Sequence, residues 1–220
     1  MPEAAVRAVL FDFDGTLADT AADLCGAVNR LRIEHGQPPI DVAEGRPWAS
    51  SGARGLLRVA FGLTPEHATY EAMKTRFLDH YAEVLCEETR LFPGIEELIA
   101  ALSARGIAWG IVTNKATRFT APIVAGLGLT PACVVCGDTT AHLKPHPASL
   151  LHAAAELSLA PQDCWYLGDD LRDIQAARAA GMRPVAVTYG YHGELNGPPD
   201  TWPADLVIAA PLDLVPHLGR

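Results

Sequence analysis

Apolar residues in this chain fall in short runs that end on polar or glycine-bearing turns. The first is Ala8-Val9-Leu10-Phe11, followed by Asp12, Phe13, Asp14 and Gly15. A run of this kind reads as a strand buried on both faces, about Ala8–Phe13. Similar runs predict strands at Ile107–Val112, about Cys133–Cys136, Cys164–Leu167 and Pro184–Thr188, with a short edge strand at Leu206–Ile208. Helical periodicity lies between them. One helix opens at Pro93-Gly94 and runs through Arg105 to Gly106; others are Phe119–Leu127, Pro147–Leu157 and Leu171–Ala180, the last stopped by Gly181. Alternating strands and helices predict an α/β fold, a doubly wound parallel sheet covered on both faces.

One interval breaks the alternation. From about Asp19 to Leu91 no strand pattern is present. Helices are expected at Ala21–His35, Gly52–Phe61 and Pro65–Glu87, the last with a stripe of Tyr70, Met73, Phe77, Tyr81 and Leu85. The division expected is a core of residues 1–18 and 90–220 and a helical unit of residues 19–89, placed to act as a lid over the end of the first strand. Residues Gly190–Pro203 are rich in Gly and Pro and read as a long loop.

Composition narrows the classes. The 220 residues are 49% hydrophobic and 20% charged, with a net charge of −9. That balance argues against nucleic acid or anionic membrane as partner. No apolar run reaches transmembrane length, and Met1-Pro2-Glu3 lacks a basic start, so a cytoplasmic location is expected. The five cysteines are scattered and odd in number, which is not a disulfide framework. Cys133 and Cys136 precede His142 and His146, but they sit in a strand-like run rather than on zinc-binding turns.

Candidate chemistry gathers at the carboxyl ends of the predicted strands, where open α/β sheets bind ligands. Strand alternation points Asp12 and Asp14 the same way. Two close carboxylates are costly without a cation, and Mg²⁺, held by one or two carboxylates and phosphate oxygens, suits them. Thr113 and Asn114 end the second strand, where a hydroxyl and an amide can bind phosphate. Lys144, before Pro145, would supply a fixed positive charge. Asp169, Asp170 and Asp173 follow the fourth strand; Asp169 would reach the metal near Asp12, and Asp173 would hold Lys144. Asp170 also suits a helix N-cap, and its role stays open.

Taken in order, D-x-D-G-T, T-N, K-P and G-D-D-x-x-D resemble the haloacid dehalogenase superfamily over the whole chain. The resemblance implies a Rossmann-like core of strand order 5-4-1-2-3 with an inserted α-helical cap of the first type. It implies Asp12 as the nucleophile and Asp14 as the acid that protonates the leaving alcohol and then activates water. Mg²⁺ would be held by Asp12, the Asp14 carbonyl and Asp169. Thr113 and Lys144 would bind the transferring phosphoryl group, helped by Gly15, Thr16 and Asn114, with Asp173 supporting Lys144. Within the superfamily the chain looks like the phosphoglycolate phosphatase group. Ser51-Gly52-Ala53-Arg54, Arg118-Phe119, Tyr189-Gly190-Tyr191 and Trp202 also resemble N-acetylmuramic acid 6-phosphate phosphatases.

The function so implied is Mg²⁺-dependent hydrolysis of a small phosphorylated metabolite bearing a carboxylate, by a monomer or homodimer. Arg54, in a glycine-flanked loop, is the expected carboxylate clamp. Alternatives are a sugar phosphomutase, which shares the motifs, and a haloacid dehalogenase, which Asp14 argues against. A non-catalytic phospholigand-binding module is a third, and it is expected to lack Asp12 or Asp14.

Overall fold

A computed structural model describes residues 6–193 and 196–219. The Met1–Glu3 start and residues 194–195 of the expected loop lie outside the described residues. The strands are β1 (Ala8–Phe11), β2 (Ala18–Asp19), β3 (Arg90–Leu91), β4 (Ala108–Val112), β5 (Val134–Val135), β6 (Cys164–Gly168), β7 (Arg183–Val187) and β8 (Leu206–Ile208). The helices are α1 (Ala21–Glu34), α2 (Val42–Gly45), α3 (Gly52–Phe61), α4 (Tyr70–Glu83), α5 (Ile95–Ala104), α6 (Thr117–Gly126), α7 (Ala148–Glu156) and α8 (Leu171–Ala180).

Six strands form a parallel sheet of order β5-β4-β1-β6-β7-β8. Without the edge strand β8 this is the 5-4-1-2-3 order expected. All four residues of β1 are buried. Their side chains alternate between two cores: Val9 and Phe11 join one cluster, Ala8 and Leu10 the other. Full burial of such a side chain stabilises by ~1.5–3 kcal/mol, so a strand at the centre of the sheet can end on charged residues without losing its place. The first cluster continues into the insert through Leu24, Val28, Leu56, Phe77 and Tyr81. The helices between β2 and β3 therefore pack on the same apolar body as one sheet face.

Two corrections concern the insert. The Asp19–Leu91 interval is not free of strands at its ends: β2 and β3 pair antiparallel, Ala18 with Leu91 and Asp19 with Arg90. This two-residue ribbon ties the entry and exit of the insert together, and is too short to leave a period in the sequence. The third helix begins at Tyr70 rather than Pro65, because turns occupy residues 65–69. In the Gly190–Pro203 loop, a short 3₁₀ turn forms at Pro199–Thr201. Cys133 and Cys136 are buried, whereas His142 and His146 are exposed, their rings tilted by 37° with centroids 4.3 Å apart.

Candidate active site

The carboxyl end of β1 opens on a cavity of about 430 Å³ lined by Asp12, Asp14, Thr113, Lys115, Lys144 and residues of the insert. Asp12 continues the ladder, its N–H donating to the Leu167 carbonyl at 2.8 Å. Its carboxylate meets the Lys144 ammonium at 2.8 Å. Lys144 also donates to Asp173 at 2.7 Å, to the Tyr166 hydroxyl at 2.7 Å and to the Val112 carbonyl at 3.3 Å. Burial pulls the lysine pKa down, but Asp12 and Asp173 outweigh it and raise the pKa, so Lys144 stays charged.

Asn114 lines the cavity and is also bonded to the lysine's backbone. It accepts from the Lys144 N–H at 2.9 Å and donates to the Lys144 carbonyl at 3.1 Å. Its amide thus locks the backbone that carries the lysine. The Thr113 hydroxyl oxygen accepts from the Lys115 N–H at 3.1 Å, leaving its O–H to donate into the cavity.

Asp169 is completely buried. It accepts from Thr16 Oγ1 at 3.1 Å, Ser50 Oγ at 2.9 Å and the Tyr191 N–H at 2.8 Å. No lysine or arginine pairs with it among the described residues. Burial, then the nearby charges of Asp12 and Asp173, push its pKa up to about 8. Burial also raises Asp173, to about 7, with Lys144 opposing. A carboxylate this costly to ionise calls for a cation.

Asp12, Asp169 and Asp173 each offer an oxygen within 4.8 Å of the others. Asp173 is already committed, one oxygen to Lys144 and the other to the Asp170 N–H. Asp12 and Asp169 also carry an ion pair or hydrogen bonds, but Asp169 faces no lysine or arginine among the described residues. The three carboxylates form a cluster that could hold a metal, and an all-oxygen donor set suits Mg²⁺.

Two glycines make room for Asp169. A Cβ on Gly15 would sit 2.2 Å from the Asp169 carboxylate, and Gly15 has φ +85°. A Cβ on Gly190 would lie 2.3 Å from both the Asp169 Cβ and the Gly15 carbonyl oxygen. Gly190→Ala is expected to lower kcat/KM at least tenfold and to destabilise by about 1–3 kcal/mol through overpacking. Thermal melting and steady-state kinetics check both; wild-type values would show that the cradle yields freely.

Sequence reasoning missed Lys115. Its ammonium sits 2.9 and 3.2 Å from the two Asp14 oxygens and 4.6 Å from the Tyr81 ring centroid. Thr20 donates to the same carboxylate at 2.5 Å. The available signal was position: Lys115 directly follows the Thr113-Asn114 pair. Ser50 was missed as well, since only the fold brings the insert onto Asp169.

Asp170, left open by sequence, caps α8 with Asp173 in a reciprocal box and pairs with Arg172 at 2.8 Å. Arg172 then donates to the Ser50 carbonyl at 3.0 Å. Tyr191 ties the loop to the insert: its hydroxyl accepts from the N–H groups of Thr20 and Ala21 and donates to Asp19. Arg54, on α3, is exposed and lines the cavity, with no hydrogen bond or ion pair among the described residues.

Comparison with known proteins agrees with this geometry. The family model for haloacid dehalogenase-like hydrolases matches residues 9–187. The chain is 42% identical to an N-acetylmuramic acid 6-phosphate phosphatase of Pseudomonas aeruginosa, over 98% of this chain and 96% of the other. It is 44% identical to a phosphoglycolate phosphatase of Xanthomonas campestris pv. campestris, over 94% of each chain. A predicted phosphoglycolate phosphatase from Haemophilus somnus has a solved structure that superposes with a TM-score of 0.85 at 27% identity, covering 97% of this chain and 98% of that one. With a nearly full-length family match and the motif residues gathered at the carboxyl end of the sheet, this chain is an enzyme and belongs to the haloacid dehalogenase-like hydrolases.

Proposed function

We propose that this enzyme is a Mg²⁺-dependent phosphatase that hydrolyses a small phosphomonoester also bearing a carboxylate, through an aspartyl-phosphate on Asp12. The observation that carries the reading is the pairing of Asp12 with a buried, charged Lys144 at the floor of a cavity that Asp14 also lines. One carboxylate is held for attack while a second stands by for proton transfer.

The Asp12 carboxylate attacks phosphorus, and the bond to the ester oxygen breaks. Lys144 keeps the nucleophile oriented and faces the incoming anion with fixed positive charge. Thr113 donates its hydroxyl to a phosphoryl oxygen. Asp14 gives a proton to the departing alkoxide. It then takes one from the water that attacks the aspartyl-phosphate and releases inorganic phosphate. Asp14 is clasped by Lys115 and Thr20. It must trade those partners for the leaving oxygen before it can act. Mg²⁺, held by Asp12, Asp169 and the Asp14 carbonyl, would supply positive charge to the transferring phosphoryl group.

We divide the chain into a catalytic core of residues 1–18 and 90–220 and a helical cap of residues 19–89. The Ser50 hydrogen bond to Asp169 and the Arg172 contact to the Ser50 carbonyl support a cap that seals the site.

The carboxylate requirement rests on Arg54 and on the substrates named for the relatives, N-acetylmuramate 6-phosphate and 2-phosphoglycolate. A phosphate-release screen tests it. The carboxylate-bearing esters should lead the screen, and release from none of the phosphomonoesters would end the reading. Arg54→Ala should reduce the kcat/KM ratio of carboxylate-bearing ester to plain aryl phosphate by roughly ten- to a hundredfold, ~1.4–2.8 kcal/mol. An unchanged ratio would remove Arg54 from the clamp.

A further inference from the structure

A second cavity, of about 240 Å³, adjoins the catalytic one. The two share Ser51, Arg54, Asp170 and Arg172 as a common wall. Trp48 and Arg58 line only the second. Its charge is unbalanced. Arg172 gives Nε and Nη2 to the two oxygens of Asp170, at 2.8 and 2.9 Å, so that pair is neutral. Arg54 and Arg58 lie four residues apart on α3, are exposed, and form no ion pair among the described residues. The Arg58 guanidinium lies over the Trp48 ring, 5.5 Å from its centroid.

Like charges at this helical spacing destabilise a helix. Among the described residues Asp170 is the acid in this lining and is taken by Arg172, Glu66 lies near enough to feel the Arg54 charge, and no acid pairs with Arg58. The Arg58 guanidinium, with no acid partner among the described residues, lies over an indole with Arg54 one helical turn away, and so makes an anion pocket with an apolar wall beside the catalytic cavity.

We propose that this cavity is a subsite for a second anion of the substrate, a carboxylate held away from the phosphate on a body of sugar size, with Arg58 as its specificity-determining contact. The proposal rests on the phosphatase reading and extends it. A compact ester such as 2-phosphoglycolate, with a single methylene between ester oxygen and carboxylate, keeps both anions in the catalytic cavity. A sugar acid phosphorylated far from its carboxylate spans the shared wall, passing Arg54 to reach Arg58.

The test compares N-acetylmuramate 6-phosphate with N-acetylglucosamine 6-phosphate, which lacks the lactyl carboxylate arm. The wild-type enzyme should favour the former by roughly tenfold or more in kcat/KM. Arg58→Ala should bring the ratio close to one, and Arg58→Lys should keep part of it, because an ammonium retains the charge without the two-point fork. The ratio of 2-phosphoglycolate to ethyl phosphate should be the same in all three proteins. A structural role for Arg58 would scale every substrate together and leave the ratios untouched. Unchanged sugar-phosphate ratios in both variants overturn the subsite while phosphate release preserves the phosphatase reading. A wild-type enzyme without the preference overturns it as well. If the wild type releases phosphate from none of these esters, the phosphatase reading fails and the subsite falls with it.

Discussion

Asp12→Asn is expected to abolish phosphate release while the protein stays folded. An amide oxygen cannot form the acyl-phosphate, so kcat should fall by at least about 10⁴-fold, roughly 5.5 kcal/mol of barrier. The fold should survive because Lys144 keeps Asp173 at 2.7 Å and the Tyr166 hydroxyl at 2.7 Å. Losing Asp12 costs one ion pair but also removes a like charge beside the buried Asp169, whose pKa Asp12 helps to raise. These effects oppose, so the melting temperature should move by only a few degrees. Activity within tenfold of wild type would remove Asp12 from the nucleophile's role.

Exhaustive chelation should likewise stop turnover, and Mg²⁺ should restore it where Ca²⁺ does not, since the larger ion does not impose tight octahedral geometry. The same cluster predicts a pH signature in the metal-free protein. Asp169 has a folded pKa of about 8 against ~3.9 unfolded. Between those values the folded state carries a proton that the unfolded state has lost. Stability therefore falls as pH rises from about 4 to 8, by ~1.4 kcal/mol per unit for one such group. Added Mg²⁺ should flatten that slope by taking the proton's place and should raise the melting temperature. Thermal melts across pH, with and without Mg²⁺, check both. Full turnover after chelation would contradict the metal's role and reopen metal-free dehalogenase chemistry.

Much of this arrangement is legible in the amino-acid sequence, for a physical reason. Central parallel strands are buried on both faces, so Ala8–Phe11 and Cys164–Gly168 must be nearly all apolar, and their ends are marked where Asp12 and Asp169 interrupt the run. The insert is visible as helical spacing where a strand was due. The ribbon of Ala18–Asp19 with Arg90–Leu91 is not visible, because two-residue strands carry no period. Asp170 was ambiguous for a different reason: its spacing to Asp173 fits both a capping box and an acid cluster, and the structure shows the cap.

The deeper gaps are tertiary. Lys115 reads as one more polar residue after Asn114 until Tyr81, more than thirty positions earlier, supplies its second wall. Ser50 on Asp169, and the cavity between Arg58, Trp48 and Arg172, join residues more than a hundred positions apart. Side chains recruited across such distances need no local pattern, and so leave none.

The central claim is that the phosphoryl group passes through Asp12. A single-turnover reaction with labelled substrate, quenched rapidly in acid and mapped by peptide mass spectrometry, tests it most directly. The account predicts a transient phosphoryl group on the peptide carrying Asp12, formed before inorganic phosphate appears and absent from Asp12→Asn. Inorganic phosphate appearing at the full rate with no covalent phosphoryl group at any quench time, or with the label on another residue, would contradict it.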